Sequence, residues 1–153
     1  MSYSVAHRFE RAHAGNQRDE RIASRASRSC AHAEAPDTAI MTWADSAKVQ
    51  RALNNLVDNA CKFTPAGGRV DITLRCEDGH AILSVADSGI GIPTDDLPQL
   101  FNRFPRGRNA TAVTGSGLGL AIVKAIVEQQ SGQIAVENRS PGARFSMRWP
   151  CID

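Results

Sequence analysis

The strongest constraint on the fold is a long β-hairpin predicted near the middle of the chain. Apolar and polar residues alternate from Arg69 to Glu77, which is typical of a strand with one buried face. The dipeptide Asp78-Gly79 follows, and it favours a tight turn between two antiparallel strands. Residues 81–87 form the predicted return strand, and its apolar side includes Asp87 at the end. The pattern therefore predicts a carboxylate that points into the core.

The rest of the chain alternates between helical and strand patterns. Asp45 suits a helix N-cap, and apolar residues then recur three or four positions apart from Val49 to Ala60. The other predicted elements are strands at Thr38–Trp43, Gln133–Asn138 and Ala143–Trp149, a short helix at Thr94–Phe101 and a longer helix at Leu118–Gln130. Helices interleaved with antiparallel hairpins predict an α+β fold, a two-layer α/β sandwich with helices on one face of a mixed, mostly antiparallel sheet.

Size and composition limit the classes of function. A chain of 153 residues is long enough for one domain with its own core, and a net charge of +2 is too small to indicate nucleic-acid binding. No apolar run reaches the length of a membrane span. Cys61 and Cys76 lie in predicted elements and are interpreted as small buried residues, which favours a reducing, cytoplasmic location.

Residues 1–36 differ from the rest of the chain. They are rich in Arg, Ala, Ser and His, and large apolar residues are few. This segment is predicted to be a poorly ordered or remnant lead-in, followed by a catalytic domain at residues 37–153.

Polar residues form a second row on the first predicted helix. Asn55, Asn59 and Lys62 lie four and three positions apart, so their side chains share one face of the helix. Amide oxygens can ligate a magnesium ion that is held with a nucleotide, and a lysine one turn further on can contact a phosphate. Taken alone, the three residues fit a solvated polar face better, because such faces are the usual arrangement on surface helices.

Asp87 allows two interpretations. A carboxylate at a buried strand end needs hydrogen-bond donors, and the exocyclic amino group of adenine could supply one. Alternatively, the side chain caps the following turn by accepting a hydrogen bond from the backbone of Ser88 or Gly89. The local pattern leaves both interpretations open.

A cationic segment follows this turn. No Asp or Glu occurs between Leu97 and Val127, whereas the same stretch contains Arg103, Arg106, Arg108 and Lys124. One sign of charge beside a glycine-rich turn attracts polyphosphate, although a solvated surface loop is the alternative. Residues 115–119 (GSGLG) open a predicted helix, whose N-terminal N–H groups favour anions. Their spacing matches neither a P-loop nor the dinucleotide-binding fingerprint.

Four stretches of sequence, in this order, carry a family resemblance. They are residues 54–65 (NNLVDNACKFTP), 87–92 (DSGIGI), 101–104 (FNRF) and 115–124 (GSGLGLAIVK). Together they resemble the catalytic and ATP-binding domain of two-component sensor histidine kinases, in the Bergerat-fold group that also includes gyrase, Hsp90 and MutL. The resemblance spans most of the chain, from residue 39 to residue 150.

The resemblance implies that Mg-ATP binds under a short mobile lid and that the γ-phosphate passes to a histidine on a separate helical dimerisation domain. It assigns magnesium coordination to Asn59, with Asn55 assisting, and catalytic roles to both residues together with Lys62 and Arg103. The implied ATP-binding residues are Asn59, Lys62, Phe63, Asp87, Gly89, Gly91, Ile92, Phe104, Arg106, Gly115, Ser116, Gly117, Leu118 and Gly119. A response regulator is the implied indirect partner, and the isolated domain is expected to be a monomer.

Two other functions remain open. None of the four histidines, which are His7, His13, His32 and His80, lies in the phosphoacceptor motif of the family. The chain could therefore be a nucleotide-binding module without its own catalysis. The second alternative is an ATP hydrolase of the gyrase or MutL type. Those relatives carry a glutamate four residues before the metal-binding asparagine, and this chain has Asn55 there, which argues against hydrolysis.

Overall fold

The structure of the chain is a computed structural model that describes residues 3–4, 30–101 and 119–152. In chain order the elements are β1 (Tyr3–Ser4), β2 (Cys30–Glu34), β3 (Met41–Thr42), α1 (Ser46–Phe63), β4 (Arg69–Glu77), β5 (His80–Asp87), a 3-10 turn (Leu97–Gln99), α2 (Gly119–Gln129), β6 (Gln133–Asn138) and β7 (Ala143–Pro150). Five strands form one sheet in the order β2-β4-β5-β7-β6, and β1 pairs with β3 separately.

The predicted hairpin is the centre of the sheet. Strands β4 and β5 pair antiparallel from Val70 opposite Asp87 to Glu77 opposite His80. Asp78 and Gly79 both have positive φ angles, 50° and 74°, as the tight turn between such strands requires. The hairpin prediction is confirmed, with the return strand beginning one residue earlier than expected.

The sheet is mixed and mostly antiparallel, as predicted. Strand β2 runs parallel to β4, while β5, β7 and β6 pair with their neighbours antiparallel. Strand β2 lies upstream of residue 37, in the segment assigned to the lead-in. The division of the chain at residue 36 stays a prediction, although the sheet includes a strand from before it.

Helix α1 begins and ends where its sequence signals lie. The side chain of Asp45 accepts hydrogen bonds from the backbone N–H groups of Ala47 (2.9 Å) and Lys48 (3.2 Å), which satisfies two donors of the first turn. Pro65 stands two residues beyond the last helical residue, Phe63, and cannot continue the helix. The buried face of α1 consists of Val49, Ala52, Leu56, Val57 and Ala60.

The core lies between the two helices and the sheet. Helix α1 packs against β5 and β4, α2 packs against β6, and the helices contact each other. The largest fully buried side chains are Trp149, Leu56, Leu83 and Met147, which come from α1, β5 and β7. The two-layer sandwich expected from the sequence is therefore confirmed. Within the described residues, no helix is both long enough and apolar enough to span a membrane.

Two secondary-structure predictions need correction. The strand expected at residues 38–43 is limited to Met41–Thr42, where it pairs with the two-residue strand β1. The helix expected at residues 94–101 is only the 3-10 turn Leu97–Gln99. A helix that began after Thr94 would place Pro98 where a backbone N–H is needed for its first intrahelical hydrogen bond, whereas Pro98 is tolerated in the first turn of the shorter element.

The interpretation of Cys76 as a buried residue is also wrong. Burial in its strand extends from Val70 to Leu74, and the last three residues are exposed. The Sγ atom of Cys76 instead lies 3.1 Å from that of Cys151, near the distal end of the hairpin. Cys61 is half-buried and packs against the core.

Candidate functional site

The last residue of β5 is a buried carboxylate. Asp87 is 8% exposed, and its Oδ1 atom accepts the N–H of Gly89 at 2.9 Å. Burial raises the pKa of the Asp87 carboxyl above its ordinary value, while hydrogen bonds from the backbone of Gly89 and Ala143 act in the opposite direction. The predicted inward orientation of this side chain is confirmed.

The hydrogen-bond inventory of Asp87 bears on its two interpretations. The bond to Gly89 is the turn-capping interaction that the sequence allows. An ionised carboxylate offers about four acceptor positions, and the two backbone donors occupy only part of them. Among the described residues no cation forms an ion pair with Asp87. The Asp87 carboxylate therefore does cap the turn, and it can still accept a hydrogen bond from a further donor.

The glycine-containing loop that follows this carboxylate packs against the end of helix α1. We call residues 88–92 the glycine loop. A Cβ atom added to Gly89 would lie 2.2 Å from the carbonyl oxygen of Phe63, so only glycine allows the loop backbone to approach the end of the helix. Ser88 fixes the start of the loop, because its N–H donates to the carbonyl of Arg69 (2.9 Å) and its Oγ accepts the N–H of Arg69 (2.7 Å).

The other side of the glycine loop lies against the β6–β7 hairpin. A Cβ atom on Gly142, whose φ is 92°, would lie 1.8 Å from the carbonyl oxygen of Asp87. At the end of the loop, the Ile92 N–H donates to Oδ1 of Asn138 (2.8 Å), and Nδ2 of Asn138 donates to the carbonyl of Ile92 (2.6 Å). Sequence reasoning missed Asn138, because an asparagine before a turn has no local feature that marks such a contact.

The polar row on α1 leads to the contact with the glycine loop, because Lys62 directly precedes Phe63 and Asn59 and Asn55 lie about one and two helical turns before it. Asn55 and Asn59 are half-buried and Lys62 is exposed. The side chain of Asn54 accepts a hydrogen bond from Gln50, whereas the amides of Asn55 and Asn59 make no hydrogen bond in the part of the chain that the structure describes. Both amides thus have oxygen atoms available for a ligand.

These amides fit a magnesium ion held with a nucleotide. Among residues 30–101 and 119–152, no group of three or more His, Cys, Asp or Glu side chains could hold a metal. The amide oxygens of Asn55 and Asn59, unpaired within the described residues, are the ligands that this helix face could offer beside water and the ligand's own phosphates. Magnesium accepts such ligands in nucleotide sites.

The remaining predicted site residues lie between Phe101 and Lys124 in the sequence. Gly119 is the first residue of α2, and a Cβ atom there would meet no atom within 4 Å. Phe101, the first residue of the FNRF stretch, is half-buried and packs edge-to-face on Phe145 with the ring centroids 6.1 Å apart. The other predicted residues of this stretch lie outside the described residues; they are Arg103, Phe104, Arg106, Arg108, Gly115, Ser116, Gly117 and Leu118.

Lys124 is one of the cations that the sequence pattern associates with phosphate. It lies on α2, where its Nζ atom is 3.9 Å from the carboxylate of Glu128 one turn further on. An exposed pair of this kind is weak and remains open to solvent.

Comparisons with known proteins agree with this architecture. Residues 44–152 match the family described as histidine kinase-, DNA gyrase B- and HSP90-like ATPases. The signal transduction histidine-protein kinase/phosphatase MprB of Mycobacterium avium (strain 104) is 44% identical over 114 residues, which are 74% of this chain and 22% of that protein. The chain thus spans about a fifth of the length of such curated relatives.

Solved structures show the same similarity. A mycobacterial sensor histidine kinase MprB is 33% identical with a TM-score of 0.78, covering 99% of this chain and 97% of that one. Full-length ShkA in complex with AMPPNP is 31% identical with a TM-score of 0.71, covering 86% of this chain and 28% of that one. The chain therefore belongs to the histidine kinase-, DNA gyrase B- and HSP90-like ATPase family, as a catalytic domain of the sensor histidine kinase type.

Proposed function

We propose that the chain binds Mg-ATP and transfers the γ-phosphate to a histidine on a separate helical dimerisation domain. The observation that carries this proposal is the close approach of Gly89 to the carbonyl of Phe63. It brings the loop that follows Asp87 against the end of the helix that bears Asn59 and Lys62. The approach supports one shared site, with the base near Asp87 and the phosphates near the polar row of α1.

Recognition of adenine would use the remaining acceptor capacity of Asp87. The exocyclic amino group of the base is a hydrogen-bond donor, and a buried carboxylate gains from such a donor because its own burial is unfavourable. Gly89 and Gly91 leave room for the base to approach the backbone. The half-buried side chains of Ile92 and Phe63 offer apolar surface beside it.

The phosphates would meet the polar row of α1. Asn59, assisted by Asn55, would supply amide oxygens to magnesium, and Lys62 would place a positive charge near the phosphates. Bound magnesium would neutralise part of the phosphate charge, which is its usual contribution to phosphoryl transfer. Beyond these residues the proposal assigns the lid and the remaining phosphate contacts to Arg103, Phe104, Arg106 and residues 115–119.

The partners belong to the same proposal. The related ShkA structure contains AMPPNP, an analogue of ATP, which supports ATP as the ligand here. The matched region is only about a fifth of the length of the curated relatives, so a helical domain with the acceptor histidine and a response regulator downstream are proposed by analogy. Such a domain would work in the cytoplasm, where ATP is available.

The binding half of the proposal can be tested with a fluorescent ATP analogue. Titration of the wild-type chain should show binding that strengthens when magnesium is added. Asn59→Ala should lose the gain from magnesium and keep its folded structure, since the side chain makes no hydrogen bond within the described residues. Asn54→Ala is the matched control, because it removes a neighbouring amide whose one hydrogen bond within the described residues is to Gln50. Normal magnesium-dependent binding by Asn59→Ala would show that the metal assignment is wrong.

The transfer half needs a second protein. The chain would be incubated with γ-labelled ATP and a helical dimerisation domain from a related sensor histidine kinase. Label on the histidine of that domain supports the proposal. ATP binding without transfer would support a nucleotide-binding module, and phosphate release without an acceptor would support an ATP hydrolase.

A further inference from the structure

We propose that Asn138 is a positioning residue that holds the glycine loop in the shape required to bind adenine. This inference rests on the function proposed above, and it concerns a residue outside every sequence stretch that carries the family resemblance. Asn138 is the last residue of β6 and lies 46 positions from Ile92 in the sequence.

The two hydrogen bonds between Asn138 and Ile92 form a closed ring. The side-chain amide accepts from the N–H of Ile92 and donates to the carbonyl of the same residue. A neighbouring strand uses this pattern when two opposed residues exchange both hydrogen bonds. The amide of Asn138 thus acts as a strand partner for a residue that lies outside the sheet. Only a side chain with adjacent donor and acceptor atoms can make both bonds at once.

We call the two hydrogen bonds between Asn138 and Ile92 the clamp. Together with the strand pairing, the clamp fixes both ends of the glycine loop to the sheet. Asp87 pairs with Ala143 of β7, and Ala143 pairs with Asn138 of β6. The glycine loop leaves the sheet at Asp87 and returns to it at Asn138 through Ile92. Both ends of the loop are therefore tied to one hairpin, and its path is set relative to the carboxylate that would bind the base.

Gly91 shows how closely the loop follows the hairpin. A Cβ atom on Gly91, whose φ is 75°, would lie 3.3 Å from the carbonyl oxygen of Gly142 and 3.4 Å from Oδ1 of Asn138. Ile92 also packs against the hydrophobic core, but within the described residues its hydrogen bonds to the hairpin are the two made by Asn138. If the clamp opened, the glycine loop would sample positions in which the pocket beside Asp87 is not formed.

The size of the effect follows from the population of the clamped loop. Two exposed hydrogen bonds of ordinary net strength bias an equilibrium by roughly tenfold. The apparent affinity for ATP falls in proportion to the fraction of molecules that lose the binding-competent loop. Asn138→Ala should therefore raise the dissociation constant for ATP by about twofold if the wild-type loop is mostly clamped, and by up to about tenfold if it is already largely open.

The test compares ATP with GTP. GTP has a carbonyl oxygen at the position where the amino group of adenine would meet Asp87, so it binds without that base contact. Asn138→Ala should weaken ATP and leave the weaker binding of GTP nearly unchanged, which narrows the preference for ATP. Loss of overall stability would weaken both nucleotides equally. Asn54→Ala, another asparagine-to-alanine change at an amide with one hydrogen bond, should leave both constants at their wild-type values.

Hydrogen exchange gives a second readout that needs no nucleotide. In Asn138→Ala the amide of Ile92 should exchange faster, while peptides from β5 keep their wild-type protection. Asn138→Asp keeps an acceptor but turns a carboxylate oxygen toward the Ile92 carbonyl, so it should release the loop at least as much. Asn138→Ser has a shorter side chain with one polar atom in place of the two of the amide, so it should bridge the Ile92 N–H and carbonyl less well and be intermediate.

The outcomes separate the two proposals. If the wild-type chain does not bind ATP, the proposed function fails, and so does the role of Asn138 in adenine binding. If the wild-type chain binds ATP but Asn138→Ala keeps the wild-type affinity and the wild-type exchange of Ile92, the positioning role alone is overturned. Faster exchange with unchanged ATP affinity would also overturn it, because the clamp would then have no effect on the ligand.

Discussion

Asp87→Asn tests the chemistry of the site with little change in shape. The two side chains have nearly the same size, and the amide oxygen of asparagine can still accept the N–H of Gly89. What is removed is the negative charge and part of the acceptor capacity. Since the oxygen is held by a backbone donor, the amide nitrogen would face the amino group of adenine, so that two donors would oppose each other.

The loss of affinity can be estimated from this change. A hydrogen bond to a charged group contributes about 1.5–3 kcal/mol, which corresponds to a change in the dissociation constant of roughly tenfold to 150-fold. The opposed donors place the expected loss in the upper part of that range. Binding of ATP should therefore weaken by about 30-fold or more.

The same substitution should not destabilise the protein at neutral pH. Burial raises the folded-state pKa of Asp87 above the ordinary value of 3.8. Between the unfolded and folded pKa values the folded state binds more protons than the unfolded state, so the free energy of unfolding falls as the pH rises through this interval. Asparagine cannot ionise and avoids this loss. Above the folded pKa, Asp87→Asn should be at least as stable as the wild type.

The assay combines nucleotide titration at neutral pH with urea unfolding at pH 7 and near pH 3.5. Asp71→Asn is the matched control, because Asp71 lies on the neighbouring strand and pairs with Arg69 on the surface. It should leave ATP affinity at the wild-type value. Unchanged affinity in Asp87→Asn would refute the role in base recognition. A large loss of stability at pH 7 would refute the argument that burial of the charge is unfavourable.

Three further substitutions test the framework around the site. Gly142→Ala should cost about 3 kcal/mol or more and impair nucleotide binding, because a methyl group would overlap the backbone of Asp87, whereas Gly67→Ala, also at positive φ but in open space, should cost only about 1–2 kcal/mol in urea unfolding. Asp45→Ala should lower the free energy of unfolding by about 1 kcal/mol through loss of the α1 N-cap; wild-type stability would contradict this. Leu56→Ala, at a fully buried position, should lower it by about 2–5 kcal/mol, and a smaller loss in chemical denaturation would mean that the core repacks.

The sequence by itself determined the elements whose signals are local. The alternation of β4 and β5, the Asp-Gly turn and the Asp45 cap each depend on residues within a few positions of one another. Backbone sterics and side-chain periodicity act over such short distances, so these features were predictable. The inward orientation of Asp87 followed from the same period of two. Family membership also followed, because four short stretches in order are specific even when each is weak alone.

Only the tertiary structure decided what surrounds that carboxylate. The approach of Gly89 to Phe63, the pairing of Asp87 with Ala143 and the clamp of Asn138 on Ile92 join residues far apart in the chain. The parallel strand β2 and the short 3-10 turn at Leu97–Gln99 were likewise not predicted. No local pattern encodes such contacts, because they form only when sheet, helix and hairpin pack together and bring their backbone groups within hydrogen-bonding distance.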